Sequence, residues 1–209
     1  VLRRGTGDGR LTAPTQLAGD YSAYVSITGF GDYTHDGRPD LFAREAGTGK
    51  SFILPARGTG YGHAIGPFPR LRGVVGISGA DLTGSGESDL VGRRDGALLV
   101  IENAGSFEVG GAINTGMNLG SANTILNVGD WDRDGHGDVV ARSASTGDLF
   151  LHRGDGDGHF GKAERVGRGF AKVRLLAAVG DMTGDGFPDL MGQPRGGAMR
   201  IYPGAGLDG

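Results

Sequence analysis

Four short segments concentrate acidic residues at fixed spacing, as cation-binding loops do. Each has the pattern Asp-x-(Asp/Thr)-x-(Asp/Ser)-Gly-x-x-Asp, and the leading residues are Asp32, Asp81, Asp130 and Asp181. Side-chain oxygens stand at positions 1, 3, 5 and 9, and a backbone carbonyl is available at position 7. Calcium binds six to eight such oxygens, and glycine at position 6 permits the sharp turn around the ion. The pattern therefore predicts calcium as the bound cofactor.

The four loops differ in the number of carboxylates they offer. The third has four and the second has two, because Ser85 replaces its position-5 aspartate. Half of the 24 acidic residues lie in these loops, where mutual repulsion would destabilise the fold unless cations neutralise it. The predicted metal ligands, with position 7 acting through its carbonyl, are Asp32, Thr34, Asp36, Arg38 and Asp40; Asp81, Thr83, Ser85, Glu87 and Asp89; Asp130, Asp132, Asp134, His136 and Asp138; and Asp181, Thr183, Asp185, Phe187 and Asp189.

Two other interpretations of the loops fit the sequence less well. An EF-hand requires a glutamate at position 12, where this sequence has Ala43, Gly92, Ala141 and Gly192. Plain Asp-Gly turns without an ion are common singly, but the fourfold recurrence favours cation binding. We expect the calcium to be structural.

The loops recur every 49, 49 and 51 residues, which defines four repeats. Apolar segments at 125–128, 139–142 and 149–152 have the composition of short strands, and 44 glycines in 209 residues disfavour helices. A 50-residue unit of three or four strands is typical of a propeller blade. We predict an all-β propeller in a single domain, 1–209, with repeats at about 22–70, 71–117, 118–170 and 171–209, and residues 1–21 completing a blade.

Closure of the propeller has two possible forms. Residues 1–9 resemble residues 151–158, so the chain starts in the third strand of a repeat. Residues 11–17 supply the outer strand of the last blade if four blades form a small closed ring. The alternative is that the chain is part of a larger propeller.

Composition and motifs exclude several functions. The net charge of −3 gives no basic surface for nucleic acid, and no apolar run is long enough to span a membrane. The chain has no cysteine, and its five histidines lie outside any recognisable catalytic triad. We therefore expect a protein that is not an enzyme.

A sugar-binding site would use aromatic faces with polar groups nearby. The candidates are Tyr61 and His63, in a long glycine-rich connection, together with Tyr33 and Trp131 at position 2 of their loops. The residue at position 2 is bulky in all four repeats, so these side chains also fit a role in packing between blades.

At the acidic loops the chain resembles the FG-GAP/VCBS repeat family, found in integrin α-subunit propellers and in secreted bacterial proteins. The segment at 129–138, Gly-Asp-Trp-Asp-Arg-Asp-Gly-His-Gly-Asp, is the closest match, and the bacterial form fits better because a Gly-Ala-Pro motif is missing. The resemblance implies a propeller with calcium in the loops.

The resemblance also implies an extracellular binding role, often as a lectin-like or adhesive module attached to secreted enzymes or toxins. We expect a secreted module that binds a glycan or cell-surface ligand for a larger assembly. The alternatives are a propeller that docks a protein, for instance a protease, and an enzyme of unknown type.

Overall fold

The computed structural model describes residues 1–103 and 109–207, and its regular structure is mainly β-strand. Residues 208–209, the end of the last predicted repeat, lie outside this part. Single turns of 3-10 helix at Pro69–Leu71 and Phe170–Lys172 lie between sheets. In the described residues, no helix has the length and apolar character needed to cross a bilayer. The all-β prediction is confirmed.

The strands form four antiparallel sheets and one short ribbon in the described residues. Sheet 1 contains β1 (Tyr24–Gly31), β2 (Asp40–Glu45) and β3 (Ser51–Leu54), and the ribbon contains β4 (Ala56–Arg57) and β5 (Gly60–Tyr61). Sheet 2 contains β6 (Val75–Ala80), β7 (Asp89–Arg94), β8 (Ala97–Asn103) and β9 (Val109–Asn118). Sheet 3 contains β10 (Ala122–Gly129), β11 (Asp138–Ser143), β12 (Leu149–His152) and β13 (Glu164–Gly167). Sheet 4 contains β14 (Val173–Gly180), β15 (Asp189–Pro194) and β16 (Arg200–Tyr202).

The four sheets follow one another as blades. The first strands contact each other in sequence, β1 with β6, β6 with β10, and β10 with β14. Each acidic loop joins the first and second strands of its sheet, so the loops occupy equivalent places. This succession is a β-propeller-like fold, as predicted. Among the described residues β14 and β1 share no comparable contact, so the four sheets form an arc.

A glycine before three of the loops introduces a bulge into the first strand. Gly31, Gly129 and Gly180 have φ of 74°, 76° and 66°, and the pairing with the second strand shifts register beside each. The second repeat has Ala80 at this position, and its pairing continues to Asp89 without a shift there. Glycine adopts positive φ without a Cβ clash, so the residue type decides where the bulge forms.

Three apolar cores lie between successive sheets. Each contains residues from the two facing sheets, which explains why a single 50-residue unit could not bury both of its faces. The core between sheets 3 and 4 contains Val128, Trp131, Val140, Leu149, Leu151 and Leu190. Successive repeats therefore stack on one another to form the core.

The N-terminal segment corrects one prediction. Residues 11–17 do not pair with β16 as the outer strand of the last blade. They fold back on the start of the chain, with bridges between Leu2 and Thr15 and between Gly5 and Leu11. The resulting hairpin lies against sheet 4, where the Gly9 N–H donates to the Met182 carbonyl at 2.7 Å.

Candidate functional site

The first aspartate of each acidic loop holds the loop's own backbone. The two oxygens of Asp130 accept the N–H groups of Asp134 and Gly135, both at 3.0 Å. Asp32 and Asp81 accept the equivalent pairs, and Asp181 accepts from Gly184 and Gly186. Charge-assisted bonds of this kind stabilise the turn before any cation binds.

The ninth-position aspartates, Asp40, Asp89, Asp138 and Asp189, are completely buried. Asp138 accepts the Trp131 N–H at 2.8 Å through one oxygen and the Gly154 N–H at 2.9 Å through the other. The bond to Gly154 ties the loop to the end of the third strand. The other three aspartates make the corresponding bond, to Ala56, Asn103 and Gly204. Each ninth-position aspartate thus accepts an N–H from its own loop and one from the end of the third strand or just after it. We call this pair of bonds the aspartate latch.

The third loop brings three carboxylates together. Asp130, Asp132 and Asp138 each offer a ligand oxygen, and these atoms lie within 4.8 Å of one another. Burial raises the pKa of Asp138 to about 6, backbone hydrogen bonds oppose the shift, and the charges of Asp132 and Asp134 add to it. Neighbouring carboxylates thus repel one another, and a hard divalent cation would relieve this repulsion. The donor set fits calcium.

The carboxylates of the other three loops lie less close together. Within residues 1–103 and 109–207, the predicted ligands of the first, second and fourth loops form no comparable group of three carboxylates. In the second loop the Thr83 hydroxyl donates to Asp89 at 2.9 Å. In the first loop the Thr34 Oγ1 is buried without a hydrogen-bond partner in the described structure, which fits a ligand role. Calcium in these loops stays a prediction.

Adjacent loops contact each other through positions 4 and 7. His35 Nε2 of the first loop lies 3.4 Å from Glu87 Oε2 of the second. The Arg133 guanidinium of the third loop lies 3.7 Å from the centroid of the Phe187 ring, and it donates to two carbonyls of the fourth loop. The first and second loops therefore share one surface, and the third and fourth loops share another.

Sequence reasoning missed a set of arginines that join the blades. Three arginines, Arg44, Arg93 and Arg142, each donate to a carbonyl just before or at the start of the first strand of the next sheet. They lie 12 residues after the first aspartate of their loops, and this recurrence in the sequence could have identified them. In sheet 4 the same position is Gln193, which instead donates to Gly197 within its own sheet.

The aromatic candidates separate into two groups. Tyr33 and Trp131 are 2% and 5% exposed, Tyr33 stacks on Phe30, and the Trp131 indole N–H donates to the Gly206 carbonyl. Their predicted ligand contact is wrong, because a ring buried between blades presents no face to a sugar. Tyr61 is half-buried with its ring edge-on to Tyr21, and His63 is exposed, so both stay candidates.

A cavity of about 410 Å³ lies between sheets 2 and 3. Its wall combines apolar surface from Met117, Leu119 and Phe150 with polar groups. His152 is 4% exposed and lines the cavity, and its Nδ1 has no hydrogen-bond partner in the described residues. Burial lowers the pKa of His152, so the ring is neutral near pH 7. The size and mixed lining are those of a small-ligand site.

Comparison with known proteins gives one family match. Residues 130–192 match the model of the FG-GAP-like repeat, and this segment contains the third and fourth acidic loops. No curated protein matches the sequence.

Solved structures share the fold at low sequence identity. An Agrocybe aegerita lectin that recognises non-reducing terminal N-acetylglucosamine is 21% identical, with a TM-score of 0.53 over 85% of this chain and 50% of that one. The BP39L lectin of Burkholderia pseudomallei is 14% identical, with a TM-score of 0.54 over 91% and 59%. The Photorhabdus luminescens Tc holotoxin pore is 18% identical, with a TM-score of 0.52 over 95% and 10%. The chain thus spans about half the length of each lectin and a tenth of the toxin chain.

Proposed function

Because the chain contains an FG-GAP-like repeat on a β-propeller-like scaffold, we propose that it is a non-catalytic module that binds a glycan. The observation that carries this proposal is the cavity between sheets 2 and 3. Phe150 supplies an aromatic surface for the C–H face of a sugar, and His152, Asn118 and Ser143 supply polar groups for its hydroxyls.

A non-catalytic role is supported by how the carboxylates are used. The first-position and ninth-position aspartates accept backbone N–H groups, and the ninth-position residues are completely buried. A general acid or base must reach a substrate proton within hydrogen-bonding distance. Asp138 has a raised pKa, as many catalytic acids do, but both of its oxygens already accept backbone N–H groups.

Calcium would act as a structural cofactor in this proposal. Asp130, Asp132 and Asp138 would hold the ion in the third loop, with Asp134 and the His136 carbonyl completing the predicted set. The ion would neutralise the charge of the loop and so stiffen the surface shared with the neighbouring loops. Without the ion, the oxygens of Asp130 and Asp138 still accept the backbone N–H groups of Asp134 and Gly154.

The module is proposed to act outside the cell. FG-GAP-like repeats and the likeness to a toxin complex support an extracellular role within a larger assembly. Two lectins with the same fold support a glycan or cell-surface ligand.

A glycan array probed with the 209-residue chain in millimolar calcium, and again with chelator, tests the proposal. Phe150→Ala should abolish binding to the selected glycan without unfolding the protein, which circular dichroism checks. His63→Ala is the matched control, because His63 lies on the exposed connection predicted from sequence. Loss of binding in His63→Ala alone would move the site to that connection.

A blank array with folded, calcium-loaded protein would reject glycan recognition. The alternative is then a propeller that docks a protein, and it is favoured by the exposed Val25 and Ile27 on β1.

A further inference from the structure

The N-terminal hairpin has the conformation of a turn in sheet 3. The bridge between Gly5 and Leu11 matches the bridge between Gly154 and Phe160. The Gly9 N–H donates to the Met182 carbonyl at 2.7 Å, just as the Gly158 N–H donates to the Leu82 carbonyl at 2.9 Å. The sequence similarity between residues 1–9 and 151–158 therefore extends to their contacts.

These contacts give the hairpin a defined place in the propeller. Gly158 lies in the connection between β12 and β13 of sheet 3, and Leu82 lies in the acidic loop of the preceding sheet. Met182 occupies the same position in the acidic loop of sheet 4. Residues 1–11 therefore have the same position relative to sheet 4 as the outer part of sheet 3 has relative to sheet 2. They occupy the outer half of a fifth blade position.

The face of sheet 4 towards this position has the composition of a buried core. Five positions of sheet 3, at Val128, Trp131, Val140, Leu149 and Leu151, are buried against sheet 4. Their counterparts in sheet 4, assigned from loop spacing and strand pairing, are Val179, Met182, Met191, Met199 and Ile201.

All five counterparts are apolar, yet no sheet of the described chain packs on them as sheet 4 packs on sheet 3. Four of them line a cavity of about 900 Å³ whose other wall includes Leu2 and Leu11 of the hairpin. Met199 is 46% exposed, whereas Leu149, its counterpart in sheet 3, is 2% exposed.

The Gly5 backbone provides an independent indication of the occupant. At the same position in sheets 3 and 4, the Gly154 and Gly204 N–H groups donate to the latch aspartates Asp138 and Asp189. Among the described residues no carboxylate accepts the Gly5 N–H. A segment that completes the fifth blade position would carry a ninth-position aspartate of its own, and that aspartate would accept the Gly5 N–H.

We propose that the cavity between the N-terminal hairpin and sheet 4 binds a strand–acidic loop–strand segment of this same repeat pattern, contributed by polypeptide outside residues 1–209. Its apolar side chains pack on Val179, Met191 and Met199, and its ninth-position aspartate accepts the Gly5 N–H. Because Gln193 replaces the arginine that joins the other blades, this segment binds without the guanidinium bond and exchanges when supplied as a separate peptide.

The four methionines provide a direct test. Met182, Met191 and Met199 line the proposed site, and Met117 lines the distant cavity between sheets 2 and 3. A peptide with the sequence of residues 122–143 serves as the probe and is titrated into the full chain labelled with ¹³C at the methionine methyl groups. We expect saturable shifts of the Met182, Met191 and Met199 signals, with the Met117 signal unchanged.

Two controls sharpen the test. The same peptide with its ninth-position aspartate changed to Asn should bind more weakly, because it loses the latch acceptor. In the protein, Met199→Lys should weaken binding about tenfold or more by placing a charge against apolar surface, whereas Leu175→Lys, at an exposed apolar residue of the same sheet, should leave it unchanged.

Absence of shifts at millimolar peptide, or equal shifts of Met117, would overturn the proposal. Shifts that depend on protein concentration without peptide, together with dimers in sedimentation velocity, would also overturn it by showing that a second copy occupies the site.

Discussion

The Arg142 guanidinium, on the second strand of sheet 3, donates to the Val173 carbonyl at the start of sheet 4, with 2.5 Å between nitrogen and oxygen. The same side chain donates to Asn123 Oδ1 at 2.8 Å. Arg142 therefore joins β10, the first strand of its own sheet, to the start of β14 in the next sheet.

Replacing Arg142 with Met should lower the free energy of unfolding by about 1.5–3 kcal/mol, the range for hydrogen bonds to charged groups. Urea denaturation measures the change. Gln193→Met is the matched control, because Gln193 holds the same position in sheet 4 and donates only within that sheet. Equal losses in the two variants would show that Arg142 acts by packing and not by joining blades.

Calcium binding in the third loop is tested by comparing Asp134→Ala with Ser85→Ala. The two residues hold position 5 of their loops, and each accepts the N–H of position 7, at 2.9 and 3.2 Å. Both substitutions therefore remove the same backbone bond. Only the first removes a carboxylate from the four-carboxylate loop.

In millimolar calcium, Asp134→Ala should lower Tm more than Ser85→Ala, and chelator should make the two effects similar. Saturation at 100 times the Kd corresponds to about 2.7 kcal/mol for one site. Differential scanning calorimetry measures the shift. A difference between the variants that persists unchanged in chelator would contradict a calcium site in this loop.

The titration of Asp138 gives a pH dependence of defined sign. Its pKa is about 6 in the folded protein against 3.8 ordinarily, so the folded state retains a proton that the unfolded chain has lost between these values. Without divalent cations this group therefore lowers stability as pH rises from about 4 to 6. Carbonyl ¹³C NMR should show a carboxyl titrating near pH 6, and calcium should shift that titration to lower pH. An Asp138 titration near pH 4 in chelator would contradict the expectation.

Trp131 is the only tryptophan of the chain and is 5% exposed. Its indole N–H is bonded to the Gly206 carbonyl, and its ring packs between sheets 3 and 4. We expect blue-shifted fluorescence that iodide does not quench and that a bound glycan does not change. A change of emission on adding the glycan selected by the array would place the ligand near sheets 3 and 4, away from the cavity that contains His152.

The fold was predictable because its determinants recur within each repeat. Apolar segments around 125–128, 139–142 and 149–152 became β10, β11 and β12, and position 6 is glycine in every loop. Loop geometry depends on residues close in sequence, so a repeated pattern is enough to place the loops between strands. The match of residues 130–192 to the FG-GAP-like repeat confirms the resemblance on which the family assignment rested.

The residues of the proposed glycan site were harder to predict because they depend on contacts between repeats. Trp131 and Tyr33 are aromatic, but the neighbouring sheet covers both, and position 2 alone does not reveal that burial. The five histidines, His152 among them, lie in no catalytic motif, yet the approach of β9 makes His152 line a cavity. The N-terminal hairpin was recognised as a partial repeat, while its place beside sheet 4 required the bond from Gly9 to Met182.

The aspartate latch has a consequence for how such a chain can change during evolution. In every repeat the ninth-position aspartate and its N–H donors lie within 16 residues of one another. A duplication of one 49-residue unit would therefore copy the acceptor together with its donors and leave no buried carboxylate unpaired. The number of blades can increase by whole repeats without new compensating substitutions inside the loops, and selection can then alter the surfaces between sheets separately.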